Sequence, residues 1–166
     1  MVVSPFVVLL RHSSIDIQYS PNYFPTIVTN IIYMIRLEHI GIAVRDLEES
    51  NAIYEQLLGV AHYKVETVES EKVNTSFFKI GESKVELLEA TDPESVIAKY
   101  IEKRGEGLHH IAFEVEDIKA EMVRLKNAGF RLLNEAPKPG ADNKLVCFVH
   151  PKDAGGVLVE LCQSIR

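Results

Sequence analysis

The chain has 166 residues, 46% of them hydrophobic, and a formal net charge of -6 at pH 7. It is long enough to bury a core, and an acidic balance without any Lys/Arg run excludes nucleic acid as an expected partner. No apolar run approaches ~18 residues, so no membrane-spanning helix is expected.

Residues 1–33 carry a short Phe6-Val7-Val8-Leu9-Leu10 run broken up by Pro5, Pro21 and Pro25, and no period of 2 or 3.6 persists in them. They lack the basic start and small-residue cleavage site of a secretory signal. They read as an N-terminal extension without a fold role, either disordered or upstream of a functional start at Met34. From residue 36 to 44 the chain alternates as a strand. Ile40, Ile42 and Val44 lie on one face; Leu37, His39, Gly41 and Ala43 lie on the other. Asp46 with Glu49 forms a capping-box pattern. The helix it starts carries Leu47, Ile53, Tyr54, Leu57 and Leu58 on one face and stops at Gly59. Strands are predicted near 61–68, 72–80 and 83–90. Asp92-Pro93-Glu94 opens a linking helix by cap and first-turn proline, with Val96, Ile97, Tyr100 and Ile101 as its buried stripe and Gly105 as its end.

The order then starts again. Residues 108–115 form a strand, Asp117 is a cap, and Ile118, Met122, Leu125 and Ala128 make a helical stripe that ends at Gly129. Strands follow near 130–135, 144–149 and 156–163. The two cysteines, Cys147 and Cys162, fall in these strands without a C-x-x-C spacing, and read as reduced, buried thiols of a cytoplasmic protein.

The similarity of the halves is literal. Leu37-Glu38-His39-Ile40-Gly41-Ile42-Ala43-Val44-Arg45-Asp46-Leu47 is echoed by Leu108-His109-His110-Ile111-Ala112-Phe113-Glu114-Val115-Glu116-Asp117-Ile118, which sets His39 over His110. Val85-Glu86-Leu87-Leu88 is likewise echoed by Val159-Glu160-Leu161-Cys162. The expected fold is therefore α+β. Two tandem β-α-β-β-β modules, about 34–91 and 106–166, are joined by a helix at about 92–105. Together they form an eight-stranded, incompletely closed mixed barrel with its helices outside.

Alternation places the four repeat-related polar residues on one concave face. His39 and His110 point away from the apolar face of their strands, and Glu86 and Glu160 point away from Val85/Leu87 and Val159/Leu161. A single inward histidine is more often a hydrogen-bonded core residue than a ligand. Four such groups at equivalent positions, two of them carboxylates among apolar neighbours, need a shared partner. A divalent cation such as Zn²⁺, Co²⁺, Mn²⁺, Ni²⁺ or Fe²⁺ suits two imidazoles and two carboxylates. The other histidines get plainer assignments: His12 in the extension, His62 at the surface, His109 as a packing or supporting neighbour, and His150 before Pro151, in a structural turn or against a ligand. No phosphate-binding glycine loop and no nucleophile–histidine motif is present.

Four stretches then carry a family likeness: Leu37–Val44, Lys84–Glu89, Gly107–Ala112, and His150-Pro151-Lys152 with Gly156–Leu161. From Met34 onward the chain resembles the vicinal-oxygen-chelate (glyoxalase/bleomycin resistance/dioxygenase) superfamily, and within it the methylmalonyl-CoA epimerase family. The resemblance implies an isomerase that inverts C2 of an acyl-CoA through a metal-stabilised enolate. It implies metal ligation by His39, His110 and Glu160, with Glu86 where some members have glutamine, and Glu160 as a catalytic acid/base. Some members carry a second acid/base glutamate where this chain has Thr75, which leaves that role open between Glu71 and a bound water. The family also implies a homodimer. The same donors would serve a glyoxalase-like lyase on a glutathione hemithioacetal, or survive in a non-catalytic small-molecule-binding module. Lys138, Lys144 and Lys152 could meet the phosphates of CoA, though each reads more simply as a solvated surface lysine.

Overall fold

The computed structural model describes residues 34–165; the expectations for residues 1–33, with His12 among them, lie outside the described residues. The chain runs β1 (Met34–Val44), α1 (Leu47–Leu58), β2 (Lys64–Val68), β3 (Val73–Ile80), β4 (Ser83–Ala90), α2 (Val96–Arg104), β5 (Gly107–Val115), α3 (Ile118–Asn127), β6 (Lys138–Gly140), β7 (Lys144–Val149) and β8 (Val159–Ser164). The eight strands form one mixed sheet in the order β2-β3-β4-β1-β5-β8-β7-β6. Each module's first strand pairs in parallel with its last, β1 with β4 and β5 with β8, and the two first strands pair antiparallel at the centre. The sheet curls almost closed, with β2 and β6 at its two ends.

Helix boundaries follow local chemistry. Asp46 accepts from the Glu49 amide and Gly59 closes α1 in the left-handed conformation. Asp117 caps α3 by accepting from the Lys119 and Ala120 amides. The greasy faces lie where alternation puts them. Ile40, Ile42 and Val44 pack with Leu47, Tyr54 and Leu58 under α1, and Val115 packs with Ile118, Met122 and Leu125 under α3.

Four expectations need correction. α2 begins at Val96 rather than at Pro93, because Ser95 Oγ caps the Ile97 amide while Asp92 is used up in a preceding turn, accepting from the Glu94 amide. Ile97 and Ile101 are the buried face of α2, whereas Val96 is 54% exposed. On α1 the buried line is Leu47, Ser50, Tyr54 and Leu58; Ile53 and Leu57 turn outward. Residues 130–135 are not a strand. They contribute one bridge, Leu132 to Val149, and the second strand of this module is the short Lys138–Gly140, whose proline and glycine hid it.

Candidate metal centre

The pairing of β1 with β5 is close to twofold symmetric about Ile40 opposite Ile111. Leu37 faces Phe113 and His39 faces Ala112, so Glu38 is an extra residue on β1. In the other half, Gly41 faces His110 and Ile42 faces Leu108, so His109 is an extra residue on β5. Each bulge breaks strict alternation and adds a second side chain beside the inward histidine. Glu38 is only 3% exposed, although period-2 reasoning puts it on the helix side with Ile40.

The inward side chains meet. His39 Nε2 lies 2.9 Å from His110 Nε2, and the rings stand edge to face. Glu160 brings Oε1 to 3.9 Å from His39 Nε2 and Oε2 to 3.5 Å from His110 Nε2. Ligand atoms of His39, His110 and Glu160 all fall within 4.8 Å of one another. Glu86 lines the same pocket but approaches His39 from the other ring nitrogen, at 3.4 Å from Nδ1. All four residues are buried. Three of the four sequence-predicted residues thus converge on one point, and the fourth stands beside it.

Behind this cluster lies a network that alternation does not predict. His39 Nδ1 is 2.6 Å from Glu38 Oε2, while Glu38 Oε1 is 3.0 Å from Lys84 Nζ and 3.2 Å from Lys144 Nζ. Lys84 also reaches Asp142 Oδ2 at 2.8 Å. Lys144 is therefore a buried ion-pair partner rather than a surface lysine. On the other side, His110 Nδ1 meets His109 Nδ1 at 3.0 Å, and His109 packs edge-on against Tyr100. The repeat was the available signal for this arrangement, since it sets Glu38 over His109 as it sets His39 over His110. His150 accepts from the Lys152 amide and caps its turn, as expected; His62 is half-buried against Glu55.

Electrostatics follow from burial. Desolvation opposes charge on His39, yet Glu86, Glu38 and Glu160 together outweigh it and raise the ring's pKa. His110, buried and beside two other imidazoles, is pushed well below the usual histidine value. Burial pushes Glu160 up to about 7 against the pull of His39, and raises Glu86 despite His39 and Lys84. Clustered carboxylates at such cost favour a cation. The pocket in front of them is lined by Val68, Val73, Leu88, Val146 and Phe148, with Glu71 and Lys138 paired to each other on its wall. Thr75 is 2% exposed and faces this pocket, so no ionisable group stands at that position.

Comparison with known proteins points the same way. The sequence model of the Glyoxalase/Bleomycin resistance protein/Dioxygenase superfamily matches residues 38–148. Over 130 residues the chain is 42% identical to the mitochondrial methylmalonyl-CoA epimerase of Homo sapiens, spanning 78% of this chain and 74% of that one. It is 45% identical over 130 residues to an ethylmalonyl-CoA/methylmalonyl-CoA epimerase of Cereibacter sphaeroides, spanning 77% and 97%. A solved methylmalonyl-CoA epimerase in complex with methylmalonyl-CoA and NH4+ matches with a TM-score of 0.76 at 36% identity, covering 79% of this chain and 95% of that one. The paired modules, the histidines they bring face to face and these similarities establish that the chain belongs to the glyoxalase/bleomycin resistance protein/dioxygenase superfamily, and within it to the methylmalonyl-CoA epimerase family.

Proposed function

We propose that this protein interconverts the two C2 epimers of methylmalonyl-CoA, with a divalent cation held by His39, Glu86, His110 and Glu160. The observation that carries the reading is the meeting of two repeat-related Nε2 atoms with the Glu160 carboxylate in one buried pocket, in a chain 42–45% identical to epimerases of this substrate class. The donor set fits a cation. Two imidazole nitrogens with their other ring nitrogens already engaged, and buried carboxylates without enough positive charge nearby, suit Zn²⁺, Co²⁺, Mn²⁺ or Ni²⁺.

C2 of methylmalonyl-CoA lies between a thioester and a carboxylate, so its proton is acidic and its removal leaves an enolate. A cation bound here would supply Lewis-acid stabilisation of the charge that develops on the substrate oxygens. Glu160 is assigned as the group that takes the proton, the role the family resemblance implies; its carboxylate lies in the pocket beside both histidines. Inversion requires delivery to the opposite face. Thr75 cannot provide it, and the role stays open between Glu71, which lines the pocket and pairs with Lys138, and a bound water. Val73, Leu88, Val146 and Phe148 give the pocket an apolar wall. A cytoplasmic homodimer completes the reading; the two buried, unpaired thiols support the location.

In D₂O, one deuterium is expected at C2 of methylmalonyl-CoA, and chelation is expected to abolish its appearance. Glu160→Gln should slow exchange by roughly 10²–10⁴-fold. Turnover of a glutathione hemithioacetal without exchange on methylmalonyl-CoA would instead make this a lyase. Binding of the thioester or the hemithioacetal without turnover would make it a binding module.

A further inference from the structure

The bulges in β1 and β5 put a second residue beside each inward histidine, and the two additions differ in kind. We propose that Glu38 is a positioning residue: it fixes His39 with the proton on Nδ1 and the lone pair of Nε2 aimed at the cation, and Lys84 and Lys144 hold Glu38 in place for that task. This rests on the metal-centre reading above and extends it to a residue outside the pocket lining.

The geometry is specific. Glu38 splits its two oxygens between two duties. Oε2 sits 2.6 Å from His39 Nδ1, while Oε1 lies 3.0 Å from Lys84 Nζ and 3.2 Å from Lys144 Nζ. A carboxylate can only accept, so the Nδ1 atom it meets must carry the proton. That leaves Nε2, which faces His110 and Glu160, as the donor of a lone pair. All the partners are fixed. Glu38 is 3%, Lys84 5% and Lys144 8% exposed, and Lys84 and Lys144 are anchored in turn by Asp142 and by Ser164. A ring-orienting carboxylate also increases the basicity of the ligating nitrogen, which strengthens its bond to a cation. The repeat mate of Glu38 is His109, an imidazole whose Nδ1 lies 3.0 Å from His110 Nδ1. The two halves of the centre are thus unequal. His39 is backed by a carboxylate and two buried lysines, His110 by a second imidazole, so Glu38 sets the stronger ligand.

Zn²⁺ affinity, measured by competition with a chromogenic chelator, and the ¹⁵N ring signals of the zinc-loaded protein test this. Wild type should bind Zn²⁺ with a protonated His39 Nδ1 and a metallated Nε2. Glu38→Gln, which keeps the shape and loses the charge, should weaken Zn²⁺ binding by roughly 10–100-fold, and Glu38→Ala should weaken it further. Should Glu38→Gln fail to fold, the charge-balanced double change Glu38→Gln with Lys144→Met takes its place, and the nitrogen assignment in wild type needs no variant. Zinc on Nδ1 of His39, or equal Zn²⁺ affinity in wild type and a folded Glu38→Gln, overturns the role of Glu38 alone. A wild type that binds no Zn²⁺, Co²⁺, Mn²⁺ or Ni²⁺ overturns the metal-centre reading and this proposal with it.

Discussion

Gly41 shows how tightly single atoms constrain the centre. It lies opposite His110 across β1 and β5, and a Cβ built there would come within 2.2 Å of His110 Cε1 and 2.5 Å of Nδ1. The ring cannot retreat easily, because His39, His109 and Phe148 all stand edge-on against it. The repeat mate of Gly41 is Ala112, which faces His39 and carries its methyl group without difficulty. Gly41→Ala should therefore displace His110 while leaving the fold intact. A stability loss of about 1–3 kcal/mol is expected from overpacking. Zn²⁺ affinity should fall by roughly 10-fold or more, as for other changes that disturb ligand orientation. A calorimetric titration and a thermal melt of the same sample check both; unchanged zinc affinity would show that the ring has room to move. The smallness of residue 41 on the concave face was legible in the sequence. The need for glycine itself was not, since that need comes from a ring 69 positions away in the chain, His110 against Gly41.

At the scale of elements, periodicity and caps located most of the fold, and their failures have physical causes. β1, β3, β4, β5 and β7 carry apolar and β-branched residues in strand-length runs, so they were legible even where alternation is interrupted. β6 is three residues, Lys138-Pro139-Gly140, and owes its pairing with β7 to tertiary context rather than propensity. The bulges at Glu38 and His109 are equally silent, because an inserted residue leaves composition unchanged while moving Glu38 to the inside. The histidines and Glu160 stood out because the repeat marks them twice; Glu38 and Lys84 did not, because ion pairing, not hydropathy, buries them. The start of α2 was misplaced by two competing caps three residues apart, Asp92 and Ser95. Ser95 is 2% exposed and its hydroxyl holds the Ile97 amide, whereas Asp92 serves an exposed turn. Ser95→Ala should cost about 1 kcal/mol in urea unfolding, and Asp92→Ala clearly less. The reverse order would mean that the helix is nucleated at Pro93 after all.

Taken whole, the molecule is a curled sheet whose two end strands, β2 and β6, are not paired with each other. What spans the gap between the modules is charge. Asp142, in the turn after β6, reaches Lys84 on β4 at 2.8 Å and Lys64 on β2 at 3.4 Å, and its amide donates to Glu66 at 3.1 Å. Lys138 on β6 pairs with Glu71 in the turn after β2. Because Lys84 also holds Glu38, this clasp is continuous with the metal centre. Burial works against ionised Asp142, but the hydrogen bond and charge of Lys84, with help from Lys64, outweigh it and lower its pKa. The sign of the linkage follows. A carboxylate with a depressed pKa in the folded state contributes stability above its unfolded value of 3.8, and that contribution disappears as pH falls through the folded value. Asp142→Asn keeps the shape of the turn and removes the charge. It should be less stable than wild type by about 1–2 kcal/mol at pH 7 and by the same amount at pH 5, since Asp142 is ionised in both states at both values. Below pH 3.8 the gap should shrink steadily, because wild type then loses the ion pair that the variant never had. Urea unfolding of both proteins at pH 7, 5 and 3 measures the gap directly. A gap of the same size at pH 3 would show that the contribution of Asp142 comes from its hydrogen-bonding shape, and that the modules are held together by their apolar contacts and the β1–β5 pairing alone.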